Sequence, residues 1–263
     1  MLSKIAITSS LFALLALPVG CAGEDVKLAP KAEQLKEAAP KSEAAMEWAV
    51  QAKGSEVGFE MQAPFERQDG TVPESALSGS LHIDVQDLRQ STGLIAVDIS
   101  ELEIYMQKAE EEGKYGEREK SDLQNEHMRD WLEIGEDAPA DQLAKNRRVQ
   151  FSLLEVTEAS AAPSSLSGAE RTVELTVKGE FLLHQHKVEK TVDLSATFHY
   201  EGDTPTRIDV KTRAPFKVAL PEHDVRPRTG FGALAKKTLG ALSDKVGEEA
   251  QVSLSFSATP KAS

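Results

Sequence analysis

The 263-residue chain has a single cysteine, Cys21, and aromatic residues make up only 5% of it. One cysteine excludes an internal disulfide and any CxxC redox or zinc-ribbon chemistry. With so few aromatics, the core has to be built from Val, Leu, Ile and a handful of Phe. Positive charge is also short, with 30 Lys and Arg against 43 Asp and Glu and a net charge of −13. Such a chain is a poor partner for nucleic acid or for an anionic membrane surface. No G-x-S-x-G elbow occurs, and "RTGFGAL" (228–234) lacks the Lys-Ser/Thr of a phosphate loop. The longest apolar run, 11–19, is too short to span a bilayer.

That run nevertheless has a role. "MLSKIAITSSLFALLALPVGC" carries Lys4, then an apolar stretch, then Gly20-Cys21, the order of a secretory signal with its h-region. A lone cysteine after a small residue at this point resembles a bacterial lipobox. Pro18 stands where that motif prefers Leu, with Leu17 one place further back. The expectation is a signal peptide over 1–20 and an acylated Cys21 at the periplasmic face of a bacterial membrane. The alternative is an ordinary signal peptide cut near "AGED" and a soluble periplasmic or secreted product. Residues 21–45 are rich in Ala, Lys, Glu and Pro and read as a flexible tether.

From Met46 onward the hydrophobic period becomes two. Val57, Phe59, Met61, Ala63 and Phe65 alternate with polar residues, as do Leu77, Leu81, Ile83 and Val85. The same holds for Val173, Leu175, Val177, Phe181 and Leu183, and for Val188, Val192, Leu194, Ala196 and Phe198. Segments 207–220 and 250–258 repeat the pattern, and 46–52 and 148–156 show it more weakly. In 94–106 the apolar parity switches, which predicts a β-bulge near Ser100. Long strands with one apolar and one polar face would leave hazardous open edges, so closure is favoured. The expected fold is all-β: an antiparallel up-and-down, lipocalin-like barrel of about eight strands.

Two stretches break the period. In the charged insertion 107–146, Leu123, His127, Met128, Trp131, Leu132 and Ile134 form a helical stripe. Leu234, Leu239, Leu242 and Val246 form another within 231–246. Both are expected to be short helices on the barrel rim.

The histidines invite a metal reading. His184 and His186 form an H-x-H pair, and His199 follows. Strand parity puts all three on the wet face, and a turn near 186–189 would pair residue 199 close to 176, far from His184. No metal site or cofactor is therefore expected, even with His82 or His223 as an outside ligand. Arg226 and Arg228 read as surface charge rather than as an anion clamp. What remains is an apolar interior, either fully packed or holding an apolar, elongated ligand.

The order of motifs supplies a further expectation. "MEWAVQAKGSEVGFEM", "NEHMRDWLEI", "RRVQFSLLEV", "VKGEFLLHQHKVEKTVDLSATF", "FKVALPEHDVRPR" and "EEAQVSLSFSA" resemble, in sequence order, the strands and helix of the YceI-like family. The likeness spans roughly 46–258, the domain being 46–259. It departs at Gln185, where the family's hairpin has glycine and this turn looks about two residues longer, and at the larger insertion. The resemblance implies an exported, non-catalytic barrel that holds a polyisoprenoid or quinone-type lipid. By position, Phe59, Met61, Leu81, Ile83, Val97, Phe151, Leu175, Val177, Leu194, Phe198 and Phe216 are the expected lining. The competing reading is a packed structural barrel whose insertion contacts an envelope partner; a homodimer is left open.

Overall fold

In the computed structural model the described residues are 27–63, 66–111, 114–226 and 248–261. The leader 1–20, Cys21 and the second rim helix at 231–246 lie outside them. The elements in chain order are β1 (Met46–Ala63), β2 (Glu66–Thr71), β3 (Leu77–Ile83), β4 (Thr92–Asp98), β5 (Glu103–Glu111), β6 (Lys114–Tyr115) and β7 (Glu119–Lys120). Helices α1 (Asp122–Trp131) and α2 (Ala140–Asn146) follow. The chain continues through β8 (Arg148–Ala159), β9 (Glu170–Leu183), β10 (His186–Glu201), β11 (Thr204–Thr212), β12 (Phe216–Ala219) and β13 (Glu249–Pro260).

Eight of these strands close on themselves. The order β1-β3-β4-β8-β9-β10-β11-β13 is antiparallel throughout, and β13 pairs back onto β1 from Trp48↔Pro260 to Met61↔Ala250. Chain order is kept around the ring, which makes this the up-and-down barrel expected from the alternation. Outside it, β2 extends the second half of β1, β5 follows β2, and β12 continues alongside β13 beyond the end of β11. No helix among the described residues is long and apolar enough to cross a membrane.

Breaks in register explain where the alternation faltered. Between Gln51 and Glu56, β1 bulges opposite Phe256, Gly54 takes φ 78°, and the Ser55 hydroxyl donates to the Gln51 carbonyl. Trp48 and Val50 therefore point inward at even positions, and Val57, Phe59 and Met61 at odd ones. The parity switch in 94–106 is not a bulge. It is a reverse turn between β4 and β5, in which the Asp98 carboxylate accepts from the Ser100 backbone and hydroxyl. Segment 207–220 is likewise two strands, β11 and β12, separated by an irregular stretch, and then a 3-10 turn over Leu220–His223.

The segment read as a flexible tether also needs correction. Residues 27–45 form a strap across the outside of the barrel. Lys31 bridges to His186, Ala32 N–H donates to the Gln185 carbonyl, and Leu35 N–H donates to Gln150 Oε1 at 2.8 Å. Further along, the Ser152 hydroxyl donates to the Lys36 carbonyl, Thr92 to Ala38, and Lys41 Nζ to the Leu154 carbonyl. Leu35 is 3% exposed, and Leu182, an outward residue on β9, is 2% exposed. Neither belongs to the interior core. Leu182 is the strand partner of Gln150, to which the strap is bonded at Leu35.

Inside, close packing depends on one glycine in particular. A Cβ on Gly179 would collide with the Ser152 carbonyl oxygen and the Phe151 ring. The Gly179→Ala substitution is therefore expected to lower stability by about 1–3 kcal/mol, as overpacking does. A urea-unfolding midpoint equal to that of the unsubstituted protein would show that the ring has room to move.

Candidate functional site

The barrel is not filled. Its inward side chains enclose a cavity of about 1130 Å³, at or above the size of ordinary small-molecule sites, roughly 300–1,000 Å³. The wall is apolar almost throughout. Phe59 and Met61 on β1, Leu81 and Ile83 on β3, and Val97 on β4 border it. So do Phe151 on β8, Leu175 and Val177 on β9, Leu194 and Phe198 on β10, and Phe216 on β12. These eleven were placed by alternation and motif position. Alternation alone missed Leu88 and Val225, which reach the cavity from turns and carry no strand period, whereas Leu220, counted on the 207–220 alternation, reaches it from the 3-10 turn.

One end is shut. Trp48 is 0% and Leu88 is 3% exposed there. The flanking turns are tied by Ser164 N–H to the Val85 carbonyl and by Arg171, which donates to the Pro163 and Gly168 carbonyls and stacks on Tyr200 at 3.6 Å. The other end is rimmed by α1 and β2. Here the polar wall residues gather: Glu66, Gln68, Gln124, Glu126, His127 and Asp130. No Lys or Arg lines the cavity among the described residues.

Helix α1 is seated by its own chemistry. Ser121 accepts from Gln124 N–H at the N-terminus, and Asp122 complements the helix dipole. The buried Asn125 accepts from Ile104 N–H at 2.9 Å and donates to the Ile104 carbonyl at 2.8 Å, so its amide pairs with β5 as a neighbouring strand would. Met128 and Leu132 go into the core. Leu123, expected on the packed stripe, is instead 58% exposed beside the opening, and Ile134 is buried just past the helix end.

The histidines occupy a different place from the one parity assigned. His184 and His186 are buried, at 4% and 3% exposure, and only His199 is on the outer face, near Asp209 at 2.7 Å. The turn is not longer than usual but a two-residue hairpin, with His184 at φ 46° and Gln185 at φ 60°. Both central residues are left-handed, which a type I′ turn requires and which Asn-Gly normally supplies. Residue 199 consequently pairs with Glu170, not 176. The strained turn is held by its neighbours. His184 Nδ1 donates to the His223 carbonyl at 3.1 Å, and Nε2 lies 2.9 Å from Glu133 Oε2. Gln185 Nε2 donates to Gln142 and to Asn146 on α2. His186 Nδ1 donates to the Ala29 carbonyl of the strap. The four non-glycine residues with positive φ among the described ones are Glu133, His184, Gln185 and Asp224, and all fall in this cluster. Strain concentrated this way marks places where several elements must meet in fixed geometry. Here it joins the rim helices, the hairpin and the Leu220–His223 turn. Among the described residues, no group of three His, Cys, Asp or Glu is placed to hold a metal ion. Arg226 pairs with Asp224; Arg228 lies outside the described residues.

His223 is the most deeply buried of these groups, at 0% exposure, with its ring edge-on to Phe181. Burial holds it below the usual imidazole range, against the His186 and Leu183 carbonyls that accept from Nδ1. The folded state therefore binds fewer protons here than the unfolded chain. This stability is present above about pH 6.5 and falls as pH drops from there toward the folded value. In urea melts the stability difference between the protein and His223→Asn, which keeps a donor at the Nδ1 position, is expected to shrink from pH 7.5 to 5.5. A difference independent of pH would show that His223 does not titrate below its unfolded value.

No protein-family model and no curated protein matches the chain. Solved structures similar to it include a polyisoprenoid binding domain from Saccharophagus degradans implicated in plant cell wall breakdown. That match has 14% identity, covers 82% of this chain and 99% of that one, and has a TM-score of 0.49. Burkholderia cenocepacia BcnA is similar at 13% identity, covering 80% of this chain and 99% of that one, with a TM-score of 0.46. At that degree of likeness, function has to be argued from this chain's own cavity.

Proposed function

We propose that the protein is a non-catalytic carrier of the bacterial cell envelope, anchored through an acylated Cys21. It holds one elongated apolar molecule of the polyisoprenoid or quinone type inside its barrel. The observation that carries this reading is the apolar cavity of about 1130 Å³, closed at the Trp48 end and open at the α1 rim. A tube of that form suits a chain-like ligand inserted tail first. Each buried methylene of such a tail is worth about 0.8 kcal/mol. The motif resemblance to the YceI-like family points to the same ligand class. A fully packed barrel, the competing structural reading, does not fit a void of this size.

The rim adds a constraint on the ligand's head. Its described charges are Glu66, Glu126 and Asp130, beside Gln68, Gln124 and His127. Carboxylates at a low-dielectric mouth oppose an anionic head and favour a neutral one that offers hydrogen bonds. The reading is thus an isoprenoid alcohol or quinone in preference to an isoprenoid phosphate.

Organic extraction of protein purified from its native host, followed by mass spectrometry, is expected to yield a long-chain isoprenoid in near-stoichiometric amount. A clean extract would sink the carrier reading. With a common tail, the alcohol is expected to bind at least about tenfold more tightly than its monophosphate, a difference of about 1.4 kcal/mol. Leu194→Trp, which projects an indole into the lumen, should abolish both without loss of the folded barrel. Equal affinity for alcohol and phosphate would remove the constraint on the head while leaving the tail site intact.

A further inference from the structure

We infer that the strap orients the molecule on the membrane, holding the cavity mouth toward the lipid surface and the shut end away from it. This rests on the acylation of Cys21 in the reading above, and adds to it a direction.

The strap enters the barrel at its open end. Ala29 N–H donates to the Glu222 carbonyl at 2.9 Å, Lys187 N–H to the Pro30 carbonyl at 2.9 Å, and Ala32 N–H to the Gln185 carbonyl at 2.8 Å. These partners belong to the hairpin turn, the start of β10 and the Leu220–His223 turn. The same hairpin turn meets Glu133, two residues past α1, through His184, and α2 through Gln185. The first docked residue of the strap and the helix that rims the mouth therefore share one end of the barrel. The dock is built rather than incidental. Gln150, Ser152 and Thr92 lie on the outer face at 2%, 1% and 0% exposure, and each bonds to strap backbone.

Chain length then decides the orientation. Eight residues separate Cys21 from Ala29 and reach at most about 26–29 Å when fully extended. The sixteen residues of β10 run about 50 Å, and with the strand tilt of a barrel, about 35–45°, its height is roughly 40 Å. An anchor at Cys21 cannot reach past the barrel to put the shut end on the membrane. Had 21–45 been free, either end could face the bilayer.

The rim chemistry fits this division of labour. Leu123 is 58% exposed beside the opening and suits a lipid surface. Glu66, Glu126 and Asp130, the charges that border the cavity among the described residues, give no attraction to anionic lipid.

The test uses the full-length acylated protein on phosphatidylcholine vesicles carrying a headgroup-linked energy acceptor. Acylation occupies the only native thiol, so a donor dye can be placed at Leu123→Cys or, at the opposite end, at Asp203→Cys. Strong quenching is expected at 123 and its loss at 203. Releasing the strap with Leu35→Asp, or with the milder pair Gln150→Ala and Ser152→Ala, should bring the two positions to similar quenching while circular dichroism is unchanged. Equal or reversed quenching in the intact protein, or a mass showing an unmodified Cys21, overturns the proposal. Lipid extraction from the same preparation keeps the two ideas separate. An oriented but empty barrel sinks the carrier reading alone, whereas a loaded barrel with no preferred orientation sinks this one alone.

Discussion

The pairing of β1 with β13 is the constraint from which the rest follows. It turns an eight-stranded antiparallel sheet into a closed tube, and a tube of eight strands has an interior near the limit of what side chains can fill. Closure removes the sheet edges of the ring strands and makes every second residue an interior one. With only 5% aromatic residues in the chain, Val, Leu and Ile coat most of the wall, and the six Phe among them leave the axis open. The cavity is a consequence of closure combined with side chains of modest size.

A tube open at one end needs that end organised, and the structure does so with strained backbone. Glu133, His184, Gln185 and Asp224 each adopt left-handed geometry where the rim helices, the β9–β10 hairpin and the strap converge. Side chains that look like ligands in the sequence serve as ties. His184 reaches the His223 carbonyl and Glu133, and His186 reaches the strap at Ala29. His184 and Gln185 here replace the Asn-Gly pair that a tight hairpin normally uses, and their side chains supply the tertiary contacts that hold the strained turn.

Much of the tube was legible because alternation records which face of a sheet a residue takes. Phe59, Leu81, Val177, Leu194 and Phe198 could be assigned to the interior without coordinates, and they border the cavity. Alternation says nothing about what lies over the outer face. His186 looked wet because its parity was counted along β9, whereas it opens β10 opposite the inward Leu183, and His184 because the rim contacts over the turn were not foreseen; the strap's composition is that of a solvated tether. One signal was present: Leu182 is a large apolar residue on a polar face, and its strand partner there, Gln150, receives the strap at Leu35. The parity switch in 94–106 was ambiguous for a related reason, since a bulge and a tight turn shift phase alike. The hairpin length was misjudged because Gln185 lacks the glycine that announces a two-residue turn.

The proposed carrier role requires that a ligand occupy the space between the α1 rim and Trp48. A high-resolution structure of the protein purified from its native host, without added lipid, tests it most directly. Continuous elongated density is expected along the barrel axis, with its polar end among Gln68, Gln124 and His127. Inward side chains collapsed together with no such density would contradict it.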